Sequence, residues 1–181
     1  MKIIDTAVPG VLIFQPTMHA DDRGFFMETF RSSHFATRGL GLDFVQDNQS
    51  RSKKGTLRGL HFQRERPQGK LVRVLSGEVF DVAVDIRKGS STFGKWVGEY
   101  LSSDNNRQLW VPPGFAHGFY VISPVADLVY KCTDYYQKDD EFSVSWSDPA
   151  LGIEWPLKGQ VPLLSERDSN APLLHEVTKF L

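Results

Sequence analysis

The sequence predicts an all-β fold, a double-sheet jelly-roll β-sandwich with a few short peripheral helices. Turn signals recur along the chain, at Pro9-Gly10, Asp21-Asp22-Arg23-Gly24, Lys54-Gly55, Ser76-Gly77, Lys88-Gly89-Ser90, Ser103-Asp104-Asn105-Asn106 and Pro112-Pro113-Gly114. The segments between them are short and rich in Val, Ile, Phe, Tyr and Trp, as the strands of sandwiches and barrels are. Many short antiparallel strands also leave sheet edges to protect, which a jelly roll does, often with dimerisation.

In chain order, strands are expected at Val11–Gln15 and Gly24–Thr29. Ser32 to Gly39 reads as a short helix, with Ser32 or Ser33 as its cap and Gly39 as its stop. Leu71 to Ile86 reads as a hairpin turning at Ser76-Gly77-Glu78. In its second strand Phe80, Val82, Val84 and Ile86 face one way, and Asp81, Ala83 and Asp85 the other. Further strands are expected at Trp96–Leu101, Gln108–Val111, Gly118–Val121, Ala126–Cys132 and Ser143–Ser147. After Trp155 come Pro156, Pro162 and Pro172, so residues from about 156 to 181 are expected to be mostly loop with a short helical C-terminus. Residues 1–181 are read as a single jelly-roll domain, a size that buries roughly 70% of the unfolded surface without staples.

Composition narrows the function classes. Hydrophobic residues make up 40% and charged residues 24%, the profile of a globular protein. A net charge of −1 argues against nucleic-acid binding by bulk electrostatics, so any basic site is local. Cys132 is the only cysteine, which excludes a disulfide framework and a cysteine-based zinc site and fits a cytoplasmic location. The first residues, Met1 to Thr6, do not read as a signal peptide, and no run approaches the ~20 apolar residues of a membrane span.

The chemistry concentrates in Thr56-Leu57-Arg58-Gly59-Leu60-His61-Phe62-Gln63 and Gln68-Gly69-Lys70-Leu71-Val72-Arg73-Val74. These segments put a histidine, two arginines and a lysine on strands that otherwise look built for a core. Burying so much positive charge needs a reason, and an anionic ligand with a proton to lose supplies one. His61 is the first candidate base, because a neutral imidazole titrates near physiological pH. The competing reading is a histidine buried for packing. Strict alternation places Arg58 and His61 on opposite faces, and a bulge at Gly59 would bring them together. Lys70 shares a face with Val72 and Val74 and is the inward candidate, with a solvent-facing lysine at the strand entry as the alternative.

His117 lies in Trp110-Val111-Pro112-Pro113-Gly114-Phe115-Ala116-His117-Gly118-Phe119, a segment of the kind that borders the cavity of a cupin-type jelly roll; otherwise it is a satisfied turn histidine. Tyr130, Tyr135 and Tyr136 carry phenols that donate protons or hold oxyanions, against a default of aromatic filling. Asp168 is a candidate to orient and polarise a histidine, with a surface loop acid as the alternative; Asp81 or Asp85 could do the same work. Arg23-Gly24-Phe25-Phe26-Met27-Glu28 offers aromatic faces beside a cation, suited to a nucleobase and phosphate, or to a dimer interface. Metal is not expected. Metal-binding cupins usually place two histidines two residues apart, and here Gly59 and Gln63 flank His61 at those positions.

Taken together these residues resemble one family, the dTDP-4-dehydrorhamnose 3,5-epimerases, metal-free cupins of sugar-nucleotide metabolism. The resemblance runs from about Pro9 to Pro172. It is carried by Asp22-Arg23-Gly24-Phe25-Phe26, Phe44-Val45-Gln46-Asp47-Asn48, the Arg58 and Lys70 segments above, Pro113-Gly114-Phe115-Ala116-His117-Gly118-Phe119 and Tyr130-Lys131-Cys132-Thr133. It implies a homodimer that inverts dTDP-4-dehydro-6-deoxy-D-glucose at C3 and C5, without a redox cofactor because the ketone is already present. By that similarity His61 is the base, assisted by Asp168. Tyr130 is the acid on the opposite face, and Lys70 holds the C4 oxygen. Arg23, Phe26, Glu28, Gln46, Asn48, Arg58, His117 and Glu141 would contact nucleotide or sugar. Arg167 stands where a lysine is more usual, and as a cation it would keep a ligand contact with changed geometry. Rival readings are a single-centre epimerase or keto-isomerase on a related dTDP-sugar, and a non-catalytic nucleotide-sugar-binding module.

Overall fold

The structure is a computed structural model that describes residues 1–41 and 43–179. Strands dominate it: β1 (Lys2–Asp5), β2 (Leu12–Gln15), β3 (Met18–Asp21), β4 (Gly24–Met27), β5 (Gln46–Lys53), β6 (Leu57–Gln63), β7 (Lys70–Ser76), β8 (Glu78–Asp85), β9 (Trp96–Ser102), β10 (Gln108–Val111), β11 (Phe115–Val121), β12 (Val125–Cys132) and β13 (Glu141–Ser143). The helices are short: α1 (Ser32–Ala36), α2 (Glu166–Ser169) and α3 (Leu174–Val177). A six-stranded sheet has the order β1-β2-β10-β7-β12-β5, and a five-stranded sheet the order β13-β6-β11-β8-β9. The two pack face to face as an antiparallel jelly roll of the cupin type, as expected from the alternating strands. Of the expected C-terminal segment, Phe180 and Leu181 lie outside the described residues.

Three buried clusters hold the sandwich. Val72 and Val74 of β7, Val79 and Ala83 of β8 and Phe119 and Val121 of β11 meet between the sheets. On the outer face of the five-stranded sheet, Phe80, Val82 and Val84 lie under Leu151, Trp155, Leu174 and Val177 of the C-terminal segment. β8 is therefore buried on both faces beyond Glu78, and its acidic face, with Asp81, turns toward the interior. On the outer face of the six-stranded sheet, Phe35 of α1 stacks on Phe14, with ring centroids 4.6 Å apart, and packs against Trp110. Each such large side chain contributes roughly 1.5–3 kcal/mol on burial, so the short helices are held by packing rather than by helical propensity.

The structure corrects several expectations. Leu71 to Ile86 is not a hairpin: β7 pairs with β10 and β12, and β8 with β11 and β9. The chain crosses from one sheet to the other at Gly77, whose φ is +82° and where a Cβ would lie 2.2 Å from the Val125 carbonyl oxygen. The same turn chemistry serves a hairpin or a corner between sheets. β13 runs Glu141–Ser143, so only Ser143 of the expected Ser143–Ser147 strand lies in it. The N-cap of α1 is Arg31, with no side-chain cap bond, rather than Ser32 or Ser33. β5 was not anticipated, since its sequence QDNQSRSK carries no apolar alternation, yet all eight residues pair with β12.

Candidate functional site

Gly59 makes the site. Between β6 and β11 the register steps from His117↔His61 to Phe119↔Arg58, so three residues of β6 span what two span on β11. The extra residue is the bulge expected at Gly59. A Cβ there would lie 2.4 Å from the Cα of Gly118, and one on Gly118 would lie 2.7 Å from the Arg58 carbonyl oxygen. Two glycines thus let the backbones approach, and the bulge turns Arg58 and His61 to the same side while Leu57, Leu60 and Phe62 pack outward.

That side is one wall of a cavity of about 370 Å³ between the sheets. Arg58, His61 and His117 line it from the five-stranded sheet. Lys70, Tyr130, Gln46 and Asn48 line it from the six-stranded sheet, and Glu141 stands at its rim with Tyr136. A larger groove of about 470 Å³ lies mainly on the other face of the six-stranded sheet, over Leu71, Arg73 and Gln108, and shares Asn48 and Tyr130 with the cavity. The imidazoles are confined to the smaller cavity.

His61 Nε2 is 2.6 Å from Asp168 Oδ1. Asp168 is 3% exposed and sits in α2, capped by Ser165, whose Oγ accepts from the Asp168 backbone N–H. Burial would raise the Asp168 pKa, but hydrogen bonding and charge from His61, with bonds from Ser165 and the Gly59 backbone, outweigh it and hold the carboxyl below its usual range. An ionised carboxylate only accepts, so Nε2 donates, which in a neutral ring leaves the lone pair on Nδ1. Nδ1 lies 3.9 Å from Glu141 Oε1. Glu141 in turn accepts from the Tyr136 hydroxyl at 2.8 Å and pairs with Arg167.

Across the cavity, burial pushes the Tyr130 phenol up to about 12; Cys132 and Glu141 act the same way and Arg58 opposes them. The phenol therefore keeps its proton at neutral pH. Lys70 is 9% exposed, and burial pulls its ammonium pKa down against the opposing pull of Cys132, Glu141 and Asp81. Gln46 donates to Asn48 at 3.0 Å, and Asn48 to Cys132 Sγ at 3.6 Å, which orders the polar face of β5. His117 Nε2 bonds Asp81 Oδ1 at 2.8 Å, a second carboxylate–imidazole pair.

Not every candidate converges. Arg23, Phe26 and Glu28 lie on or beside the β3–β4 hairpin, outside the cavity. Arg23 pairs with Asp21, Glu28 pairs with Arg31, and Phe26 is 72% exposed. Arg167 bonds Glu141 and the Ser143 hydroxyl rather than lining the cavity. Asp85 bonds Arg87, Ser90 and Thr92. Tyr136 and Gln68, absent from the expected site set, line the cavity; Tyr136 belonged to the tyrosine cluster, and Gln68 opened the Lys70 segment. Among the described residues no three His, Cys, Asp or Glu side chains converge as a metal site requires, and no helix is long and apolar enough to cross a membrane.

An imidazole, a phenol and a buried lysine thus line one cavity. The family model described as dTDP-4-dehydrorhamnose 3,5-epimerase matches residues 5–176. A dTDP-4-dehydrorhamnose 3,5-epimerase of Salmonella typhimurium is 56% identical over 178 residues, 97% of each chain. One from Neisseria gonorrhoeae is 58% identical over 168 residues; these are 93% of this chain, which spans about half (51%) of that longer relative. The crystal structure of a Legionella pneumophila dTDP-6-deoxy-D-glucose-3,5-epimerase in complex with dTDP-4-keto-L-rhamnose superposes with a TM-score of 0.93 at 55% identity, covering 96% of this chain and 93% of that one.

Proposed function

The chain belongs to the dTDP-4-dehydrorhamnose 3,5-epimerase family, and from that premise we propose how its own residues divide the work. It is an isomerase of dTDP-L-rhamnose biosynthesis that converts dTDP-4-dehydro-6-deoxy-D-glucose to dTDP-4-dehydro-L-rhamnose. C3 and C5 both flank the C4 ketone, so one enolate chemistry serves both centres. His61 Nδ1 removes the proton, and Asp168 stabilises the imidazolium that results. The charge moves to the C4 oxygen, which the Lys70 ammonium meets. The Tyr130 phenol returns a proton to the opposite face.

One observation carries this reading: His61 belongs to the five-stranded sheet and Tyr130 to the six-stranded sheet, and both line the same cavity. Inversion requires a proton taken from one face and delivered on the other, which two opposing walls provide and a single base does not. A positioned base and acid each supply roughly 10²–10⁴-fold, and a preorganised donor at the enolate oxygen about 3–4 kcal/mol. Gln46, Asn48, Arg58, His117 and Glu141 hold the sugar and phosphates, so that remote binding energy positions the reacting carbons.

Residues 1–181 act as one jelly-roll domain in a cytoplasmic homodimer. Met18, Phe25 and Phe26 expose an apolar hairpin, and a second copy of the chain is the partner that would carry Arg23, Phe26 and Glu28 to a nucleotide. The reaction is tested by incubating the protein with dTDP-4-dehydro-6-deoxy-D-glucose in deuterated water and following C3 and C5 by proton NMR. Deuterium at both carbons is expected. Deuterium at one carbon alone would indicate a single-centre epimerase, and binding without exchange a non-catalytic module.

A further inference from the structure

In the proposed reaction the proton taken from carbon sits on His61 Nδ1, and it must leave before the same base can act at the second centre. Asp168 offers no way out. It accepts at Nε2, on the other side of the ring, and is 3% exposed. Arg58 and Lys70, as cations, have only donors to offer. His117 Nε2 is already bonded to Asp81. Glu141 is the only carboxylate among the described residues that line the cavity.

Strand pairing sets Glu141 beside the base. β13 runs antiparallel to β6 at the edge of the five-stranded sheet, with Ser143 opposite His61 and Glu141 opposite Gln63. Gln63 is two residues from His61, so Glu141 is the diagonal neighbour of His61 on the same face. Its Oε1 lies 3.9 Å from His61 Nδ1. That gap is too long for a direct hydrogen bond and is one that a single bridging water spans. The other oxygen, Oε2, accepts from the Tyr136 hydroxyl at 2.8 Å and from Arg167, which also bonds the Glu141 carbonyl oxygen and the Ser143 hydroxyl. These bonds fix the carboxylate with Oε1 toward the imidazole. The Glu141 side chain is 17% exposed, so the same group that faces the base also reaches the rim.

We propose that Glu141 is the proton exit of the site: beyond any contact with the sugar, it carries the abstracted proton from His61 Nδ1 to solvent and so resets the base between C3 and C5. The N–H bond at Nδ1 breaks, the proton passes through one water to Oε1, and the carboxyl O–H so formed ionises to bulk water. Neutral imidazole and carboxylate are both restored. Solvent returns one proton to the Tyr130 phenolate, so the cycle consumes none. The inference rests on the proposed reaction and adds the step that lets one base serve two carbons.

The test measures initial rates of deuterium wash-in at C3 and C5 at saturating substrate, so that a lost contact with the sugar does not enter. Absence of exchange in the wild type would refute the proposed reaction rather than this inference. With exchange established, the wild-type rate is expected to be independent of buffer concentration. Glu141→Gln keeps the shape but cannot take the proton. In dilute buffer it is expected to be slower by roughly 10²-fold, the low end of what a positioned proton-transfer group supplies. Its rate should then climb with added imidazole or formate, small enough to accept the proton in place of Glu141, and not with a bulky buffer. A Glu141→Gln rate within about threefold of wild type in dilute buffer, or a slow rate that neither imidazole nor formate raises, overturns the inference. If Glu141→Gln fails to fold, Glu141→Ala decides, since it leaves room for formate: formate-dependent recovery supports the exit, and no recovery overturns it.

Discussion

Asp168→Asn tests the base assignment most sharply, because the surroundings of Asp168 dictate what an amide would do there. The carboxylate takes hydrogen bonds from His61 Nε2, the Ser165 hydroxyl and the Gly59 backbone N–H. Asparagine has a single acceptor oxygen. If it faces Gly59 and Ser165, its NH₂ meets Nε2 and drives the ring proton to Nδ1, the nitrogen that must be free to accept from carbon. If it faces His61 instead, two buried donors oppose each other, at about 1–3 kcal/mol. The working tautomer therefore loses roughly 10–100-fold in population, since 1.4 kcal/mol is tenfold. Loss of the charge-assisted bond to the imidazolium removes about 1.5–3 kcal/mol more. Together the two effects predict a fall in kcat of about 10²–10⁴-fold with dTDP affinity unchanged. The assay is the initial rate of deuterium wash-in at C3 and C5 beside calorimetric binding of dTDP. Exchange within about threefold of wild type would refute both the tautomer argument and the assignment of His61.

Five further outcomes are expected. His61→Ala abolishes proton exchange in the NMR assay while dTDP still binds; near-normal turnover would remove His61 as the base. Tyr130→Phe spares C–H exchange more than it spares epimerised product, because a phenol pushed up to about 12 is suited to donate a proton rather than abstract one; equal losses would end the proposed separate-acid role. Gly118→Ala sets a Cβ against Arg58 and Gly59 backbone atoms, and its thermal melt should show a loss of about 1–3 kcal/mol together with lost activity; an unchanged melting temperature would mean that the two strands can part without cost. Asp85, with hydrogen bonds from Arg87, Ser90 and Thr92 outweighing its burial, and Asp168 have folded-state pKa values below their unfolded ones. Their stabilisation is present above the unfolded carboxylate value and is lost as pH falls through the folded one. Melts should therefore hold steady down to about pH 4 and decline below it. Asp85→Asn should lower stability by about 3 kcal/mol at neutral pH and flatten the decline.

Local chemistry was legible in the sequence wherever one strand's own residues carried it. The Gly59 bulge follows from a glycine between two polar residues that cannot both face inward by strict alternation. The inward direction of Lys70 follows from Val72 and Val74 on the same face, both in the central core. The short strands, the turn residues and the jelly-roll class needed nothing more than period-two alternation and backbone preferences. Polar β5 escaped notice because alternation is a hydrophobic signal, and QDNQSRSK has none. The supposed Leu71–Ile86 hairpin failed because a glycine turn does not say whether the next strand pairs with the last or crosses to the facing sheet.

Long-range placement belonged to the tertiary structure alone. Asp168 lies 107 residues from His61 and Asp81 36 residues from His117, and no local preference encodes either pairing. Nor could the sequence show that Arg23, Phe26 and Glu28 fall outside the cavity of their own chain. Backbone geometry and side-chain period act over a few residues, so they determine which groups a strand can present and on which face. Which groups then meet depends on how two sheets close around a shared core, and that closure opposes the His61 imidazole to the Tyr130 phenol.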